Sequence, residues 1–326
     1  MIAPDRRPER EPALVAGEKA EERGDYVQAA AAYAEVTEDS DPAAAGEGHF
    51  RLGRVNWHQG RFEHALSAFE HARSIARDGG FGDLEARAEN GIGTVHYARG
   101  EYAQAKASYQ IAMERTKDPV LVGRFMLNLG AIANIEGNLE SALWHYLRAR
   151  NLFRDNGDRM SESLALHNLG MLYADREEWE AAGDAFEQCL GICEFLGNRA
   201  MIPMVLLSQA EVFIAQEDYD RAIRACEVSI SISVEIGNEV GRGEAFRWLG
   251  HAQRKAGNLE GAERTLTEAV LVAQRFRVKL LEAEVCREMW ELKRSDADGR
   301  RWRERALSVF RELGAEREVA ALEASE

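Results

Sequence analysis

Proline and cysteine are scarce in this chain of 326 residues, which has 6 and 4 copies of them. The scarcity of proline, beside abundant alanine, leucine, glutamate and arginine, favours helix over sheet and predicts an all-α protein. Four cysteines are too few for a disulfide scaffold in a chain of this length. We therefore expect reduced thiols at Cys189, Cys193, Cys226 and Cys286.

A basic surface and long apolar runs are also missing. The formal net charge of -15 argues against binding to nucleic acid or to an anionic membrane, because both need a basic surface. The first ten residues, MIAPDRRPER, have no apolar signal core, and no later segment has 18 uncharged apolar residues in a row. These absences lead us to expect a cytoplasmic protein with neither a membrane nor a nucleic-acid partner.

The chain does contain a repeat of seven units. A glycine or glutamate marker is followed two residues later by a large apolar residue and five residues later by alanine, as in Gly60, Phe62 and Ala65. A Leu-Gly or related pair lies seven residues before the marker, and a large residue follows nine after it. This pattern predicts a helix, a tight turn and a second helix in each unit. The markers are Gly24, Gly60, Gly100, Gly137, Glu177, Glu217 and Gly257.

The two glycines of a unit have different predicted roles. Gly53 lies within the first helix, where the missing side chain lets the second helix approach closely. Gly60 lies between the helices, where a left-handed C-cap conformation is expected. The sixth unit departs from the pattern, since Ala210 replaces the glycine and the small Cys226 replaces the large residue. Both glycines are therefore expected to serve structure rather than binding.

The order and spacing of these positions resemble those of the tetratricopeptide repeat, over roughly residues 11 to 312. The units are near 40 residues long instead of the usual 34 or so, as in Pins-type Leu-Gly-Asn adaptors and bacterial peptide-sensing regulators. The resemblance implies a solenoid, a right-handed superhelix of antiparallel helix pairs with about seven repeats and a degenerate C-terminal pair. We expect a flexible tail over residues 1–10, seven units over 11–278, and a degenerate eighth pair with a capping helix over 279–326.

Metal, cofactor and catalytic motifs receive no support from the sequence. Cys189 and Cys193 are four residues apart on one helix face, but no partner pair follows at zinc-ligand spacing. His64 and His71 lack the HExxH pattern, and we expect them to be solvated. No glycine pair completes a phosphate-binding fingerprint, and no nucleophile motif is present. The sequence predicts a non-catalytic protein without metal or cofactor.

The resemblance implies that partners bind along the concave groove lined by the first helices. Residues thirteen, ten, six, three and two before each marker share the face expected to line it. This stripe is polar and aromatic in the second and third units, apolar in the fourth to sixth, and basic in the seventh. By resemblance, Arg124, Asn128 and Asn168 would hold the backbone and acidic side chains of a partner. The predicted groove residues are Arg54, Trp57, Arg87, Asn90, Tyr97, Arg124, Leu127, Asn128, Asn134, His167, Asn168, Met171, Met204, Leu207, Ile214, Arg247, His251 and Arg254.

The sixth first helix, Ile202 to Gln216, is apolar on nearly every face, which is typical of a covered helix. We expect its occupant to be a protein or peptide segment that is apolar with acidic flanks. A homo-oligomer, or coverage by the chain itself, is an alternative because large exposed apolar patches are uncommon on monomers. A second alternative is a peptide-responsive regulator acting through a partner. Similar sensors carry a DNA-binding domain before the repeats, whereas about ten residues are expected here before the first helix.

Overall fold

A computed structural model describes residues 12–294 and 297–325. Within these ranges the chain forms α-helices joined by short turns and contains no strand, so the all-α prediction is confirmed. The predicted tail, residues 1–10, lies outside the described residues. The helices are α1 (Pro12–Glu22), α2 (Tyr26–Val36), α3 (Pro42–His58), α4 (Phe62–Gly79), α5 (Gly82–Ala98), α6 (Tyr102–Arg115), α7 (Pro119–Ile135), α8 (Leu139–Asp155), α9 (Arg159–Asp175), α10 (Trp179–Leu196), α11 (Ile202–Ala215), α12 (Tyr219–Glu235), α13 (Glu239–Lys255), α14 (Leu259–Phe276), α15 (Lys279–Leu292), α16 (Ala297–Glu312) and α17 (Glu316–Glu323).

The helices belong to two compact units, of which one ends at Ala165 and the other begins at Leu166, within α9. In the first unit α3 packs on α4, α5 on α6 and α7 on α8, while the odd-numbered helices α3, α5 and α7 also contact one another in order. The second unit repeats this arrangement with α11, α13 and α15. We call the odd-numbered helices first helices. The predicted division at residues 278 and 279 falls in the turn between α14 and α15.

The glycine within each first helix packs directly against the large residue of the second helix. A methyl group added at Gly53 would lie 2.7 Å from the Phe69 ring, a distance that real Cβ atoms do not tolerate. The predicted close approach is therefore present. The same contact joins Gly17 with Tyr33, Gly93 with Tyr109, Gly130 with Tyr146, Gly170 with Phe186, and Gly250 with Leu266.

In the sixth unit the residue on the first helix is larger than glycine, and the residue that it faces on the second helix is smaller than in the other units. Ala210 and Cys226 are both buried and belong to one apolar cluster with Ala222 and Leu249. A larger residue on α11 therefore accompanies a smaller one on α12. Because interiors are close-packed, an added methyl on one helix requires a smaller side chain on the other. The two departures from the repeat thus compensate each other.

The turn inside each unit combines a left-handed residue with a helix cap. Gly60 has φ +71°, as its predicted C-cap role requires. In four units the next residue is Asp or Asn, whose side chain accepts a hydrogen bond from the backbone of the second helix. This pairing ends one helix and begins the next within two residues. The capping residues are Asp25, Asn138, Asp218 and Asn258.

Candidate interaction surface

A cavity of about 500 Å³ lies in the first unit, on the first helices α3, α5 and α7. Its walls combine aromatic rings with four guanidinium groups, and we call it the arginine cavity. Five of the predicted groove residues lie in it, namely those at positions 54, 57, 87, 90 and 124. The full lining is Phe50, Arg51, Arg54, Trp57, His58, Phe69, Arg87, Asn90, Gly91, Thr94, Leu121, Arg124 and Phe125.

Two of the four arginines are held by a glutamate of α3. Glu47 accepts hydrogen bonds from Arg51, at 2.6 Å, and from Arg87. Burial by itself would raise the pKa of Glu47, but the two guanidinium groups lower it below its ordinary value. The Arg87 guanidinium also lies 4.6 Å from the centre of the Phe50 ring. These contacts make Arg87 a fixed part of the cavity wall.

The other two arginines keep hydrogen-bonding capacity. Arg54 contacts Glu21 at 3.5 Å and Arg124 contacts Asp158 at 3.6 Å, both beyond the usual hydrogen-bond range of about 2.7 to 3.2 Å. Asp158 also accepts hydrogen bonds from the backbone N–H and the hydroxyl of Ser161. The Arg54 and Arg124 side chains are 42% and 56% exposed. Since a guanidinium has five N–H donors, both side chains can bind an acidic group from outside.

Neutral polar groups complete the arginine cavity. The indole N–H of Trp57 is buried and has no acceptor among the described residues. Asn90 lines the cavity, and Asn128 of α7, which is not in the lining, donates a hydrogen bond of 2.8 Å from its amide to the Asn90 amide oxygen. Each amide retains donor or acceptor positions that match those of a peptide backbone. The cavity therefore offers sites for an anion, for a backbone and for an apolar side chain.

A smaller cavity of about 260 Å³ lies in the second unit, on α11 and α13 and the turns before them. We call it the Met204 cavity. Met204 is 46% exposed and Leu207 is half-buried, so part of the apolar face of α11 remains open. Most other apolar residues of that helix pack within the unit. The lining is Ala200, Pro203, Met204, Leu207, Ser208, Glu211, Asn238, Gly241, Glu244 and Trp248.

Arg247, which the sequence assigns to a basic cluster, is almost fully buried, with 8% of its surface exposed. Its guanidinium Nε lies 3.1 Å from Glu244 of α13 and 3.3 Å from Glu284 of α15. It also lies 4.5 Å from the centre of the Trp248 ring. Arg247 is thus committed to contacts within the second unit.

His251 and Arg254 of the same cluster share one carboxylate. The Glu288 side chain of α15 lies 2.8 Å from the His251 ring and 3.0 Å from the Arg254 guanidinium. Although burial opposes the change, His251 and Arg254 lower the pKa of Glu288 to about 2. Carboxylates of α13 and α15 therefore contact Arg247, His251 and Arg254, while Lys255, the remaining basic residue of the cluster, is exposed.

Comparison with known proteins agrees with the repeat geometry. Residues 45–118 and 122–194 match the family model described as tetratricopeptide repeat. These residues carry tetratricopeptide repeats. Among curated proteins the chain resembles regulatory protein AfsR of Streptomyces griseus, with 23% identity over 270 residues, or 73% of this chain and 27% of that protein. The chain thus spans about a quarter of the length of that relative.

Solved structures share the fold of this chain. One is a signal transduction ATPase with a tetratricopeptide repeat sensor from Pyrococcus horikoshii, with TM-score 0.72, 14% identity, and coverage of 95% of this chain and 49% of that chain. Another is a Rap protein complexed with Competence and Sporulation Factor, with TM-score 0.63, 14% identity, and coverage of 96% and 94%. At these identities the likeness establishes the fold alone.

The remaining predicted groove residues of the repeat protein lie outside both cavities. His167 contacts the Ser208 hydroxyl at 3.1 Å, and its ring centre lies 5.8 Å from that of Phe186. Tyr97 packs edge-on against Tyr102. The others are half-buried on first helices: Leu127, Asn134, Asn168, Met171 and Ile214.

The predicted stripe did not include the position nine residues before each marker. Residues at this position nevertheless line both cavities. It holds Arg51 in the arginine cavity and Ser208 and Trp248 in the Met204 cavity. A residue nine before the marker is four residues after the one at thirteen and three before the one at six, so all three share a helix face. This spacing is the signal that could have found these residues. The resemblance did place Asn128 and Asn168 at this position.

The thiols offer no reactive centre in this repeat protein. All four cysteines are buried, and burial raises the pKa of Cys226 and of Cys286 to about 12. Over residues 12–294 and 297–325, no group of three potential metal ligands is found. None of the helices in those ranges is long and apolar enough to cross a membrane. The tetratricopeptide fold is generally a non-catalytic interaction module.

Proposed function

We propose that this protein is a non-catalytic interaction module that binds a peptide or amphipathic segment of another protein on its first helices. The observation that carries the proposal is the arginine cavity. Its volume of about 500 Å³ lies within the range of about 300 to 1,000 Å³ usual for specific binding sites, and it combines apolar walls with a few polar groups. Such a site suits an apolar segment that carries an acidic residue.

Each part of the arginine cavity has a role in this proposal. Arg54 and Arg124 bind the acidic side chain of the segment. Asn90, together with Asn128 bonded to it outside the lining, binds the backbone of the segment. The Phe50, Trp57 and Phe69 rings contact its apolar side chains, and Trp57 also offers its buried N–H. Burial of each such side chain contributes about 1.5 to 3 kcal/mol before ordering costs, which favours micromolar or tighter binding.

A regulatory version of this function is the second candidate. It is favoured by the likeness to a regulatory protein and to a Rap protein solved with Competence and Sporulation Factor. In this version the bound segment is a signalling peptide, and the protein acts through a partner.

We also place the protein in the cytoplasm, because its four buried cysteines are free thiols, as a reducing compartment maintains.

A random 12-residue peptide library, displayed and selected on the full chain, tests the function. We expect enriched peptides to combine apolar residues with an acidic one. Their affinity should fall about tenfold or more for the double variant Arg54→Gln and Arg124→Gln, because two charge-assisted contacts are lost. Fluorescence anisotropy gives the affinities.

The matched control is Arg148→Gln with Arg224→Gln, which removes two exposed arginines from the second helices α8 and α12. This control should change the affinity less than twofold. Failure to enrich any peptide, or equal binding to both double variants, would contradict the proposed site. A stable dimer in light scattering that competes with the peptide would favour self-association instead.

A further inference from the structure

The Met204 cavity combines apolar walls with negative charge. Met204, Leu207 and Pro203 supply aliphatic surface, and Trp248 supplies an aromatic ring. Glu211 and Glu244 are the two ionisable residues in its lining. At about 260 Å³ the cavity is smaller than the range of about 300 to 1,000 Å³ usual for whole ligands. It therefore fits one or two side chains of a larger partner.

Glu211 is the carboxylate that lacks a partner. Within the described residues it makes no hydrogen bond and no ion pair, whereas Glu244 contacts Arg247. Desolvation by its surroundings raises the pKa of Glu211, the charge of Asp175 adds to the shift, and Arg247 and His251 oppose it. The Glu211 side chain is exposed, so a cation of a partner can reach it.

The nearby basic side chains already contact other carboxylates. The Arg247 guanidinium contacts Glu244 and Glu284, and the His251 ring and the Arg254 guanidinium contact Glu288. The two ionisable residues of the cavity lining are thus both acidic, and Glu211 is the one without an ion pair among the described residues.

An acidic or a purely apolar side chain suits the Met204 cavity poorly. An acidic side chain would add a like charge beside Glu211, and a purely apolar one would bury that carboxylate without compensation. Lysine and arginine have an apolar stem and a charged head, so they match both kinds of lining.

We propose that the Met204 cavity receives a lysine or arginine side chain of a partner segment bound to the second unit, with its stem against Met204 and Leu207 and its charge on Glu211. This assignment rests on the proposed function, which requires a bound segment. The sequence leads us to expect acidic groups on the partner, whereas this assignment requires a basic one.

The peptides selected on the full chain also test this site. We expect a recurrent lysine or arginine beside apolar residues, and replacement of that residue by norleucine should weaken binding about five- to tenfold at low salt. Glu211→Gln should weaken binding by a similar factor and remove the preference for the cation. Both effects should shrink as salt is raised, because screening acts on exposed charges.

Two matched variants make the assignment specific. Glu227→Gln, at an exposed glutamate of α12, should leave the affinity unchanged. Glu211→Lys should bind a peptide whose cation is replaced by glutamate better than the original peptide. Thermal melting confirms that each variant is folded.

The outcomes separate this inference from the proposed function. Peptides that bind but need no cation, or whose affinity ignores Glu211→Gln, overturn the cationic site and leave the interaction function intact. Enrichment of no peptide overturns the interaction function itself. A cation preference abolished by Arg54→Gln with Arg124→Gln but retained in Glu211→Gln would also contradict the assignment.

Discussion

At the scale of single residues, the packing of each unit depends on one glycine and one large side chain. The close approach of Gly170 to the Phe186 ring repeats in five other units, while Ala210 and Cys226 reverse the sizes. The sequence identifies both departures separately. Their relation became visible only with the helices packed, because the two positions are sixteen residues apart on different helices.

The exchanged pair predicts a favourable coupling between two substitutions. Cys226→Phe by itself should lower the free energy of unfolding by about 1 to 3 kcal/mol, because the ring would crowd Ala210. Adding Ala210→Gly restores the arrangement of the other units, so the double variant should be more stable than the sum of the two single changes by about 1 kcal/mol. Urea unfolding of the four proteins measures this coupling.

Gly170→Ala is the mirror-image control, since its methyl would lie 2.5 Å from the Phe186 ring. It should be destabilising in a unit that keeps its large residue. If the effects of Cys226→Phe and Ala210→Gly simply add, the compensation does not exist.

At the scale of helices, the end of each first helix requires a left-handed residue. Glycine supplies it in most units, as at Gly137 with φ +74°. Glu177 and Glu217 adopt the same conformation, with φ 58° and 61°. A side chain in this region costs about 1 to 2 kcal/mol, so these two turns are strained relative to the others.

Replacing either glutamate by glycine should therefore stabilise the protein. For Glu217→Gly we expect a gain of about 0.5 to 1 kcal/mol in the free energy of unfolding, since relief of the left-handed strain exceeds the extra entropy of glycine. Denaturant titration followed by circular dichroism measures the change.

The same substitution inside a helix serves as the control. Glu227→Gly, in the interior of α12, should destabilise by about 1 kcal/mol because glycine is a poor helix former. If Glu217→Gly destabilises the protein as Glu227→Gly does, the left-handed conformation of Glu217 is not a source of strain that glycine can relieve.

At the scale of the whole molecule, the contacts are local. Each helix packs mainly on its neighbours in the chain, and each compact unit contains its own apolar clusters. In such repeat arrays stability is a sum of local terms, so one part can fold without the rest. The boundary within α9 suggests where the chain can be divided.

A fragment of residues 158–326 should fold by itself. It keeps all of α9 and also Asp158, which precedes the helix and accepts a hydrogen bond from the backbone N–H of Ser161. We expect helical circular dichroism and cooperative urea unfolding. A fragment of residues 179–326 lacks α9 and leaves the Phe186 ring without its Gly170 contact, so it should unfold at lower urea. Equal stability of the two fragments would contradict this account.

The sequence by itself determined the helical class, the seven-unit repeat, the roles of Gly53 and Gly60, and the first-helix face on which the cavities lie. These features follow from short-range periodicity, which a sequence displays directly. Tertiary structure alone decided which residues of that face remain open and what charge they meet. The seventh unit has a basic stripe in the sequence, but Arg247 and His251 contact Glu284 and Glu288 on a helix some forty residues later. Ion pairing depends on the distances between side chains of different helices, and these distances cannot be deduced from the repeat pattern.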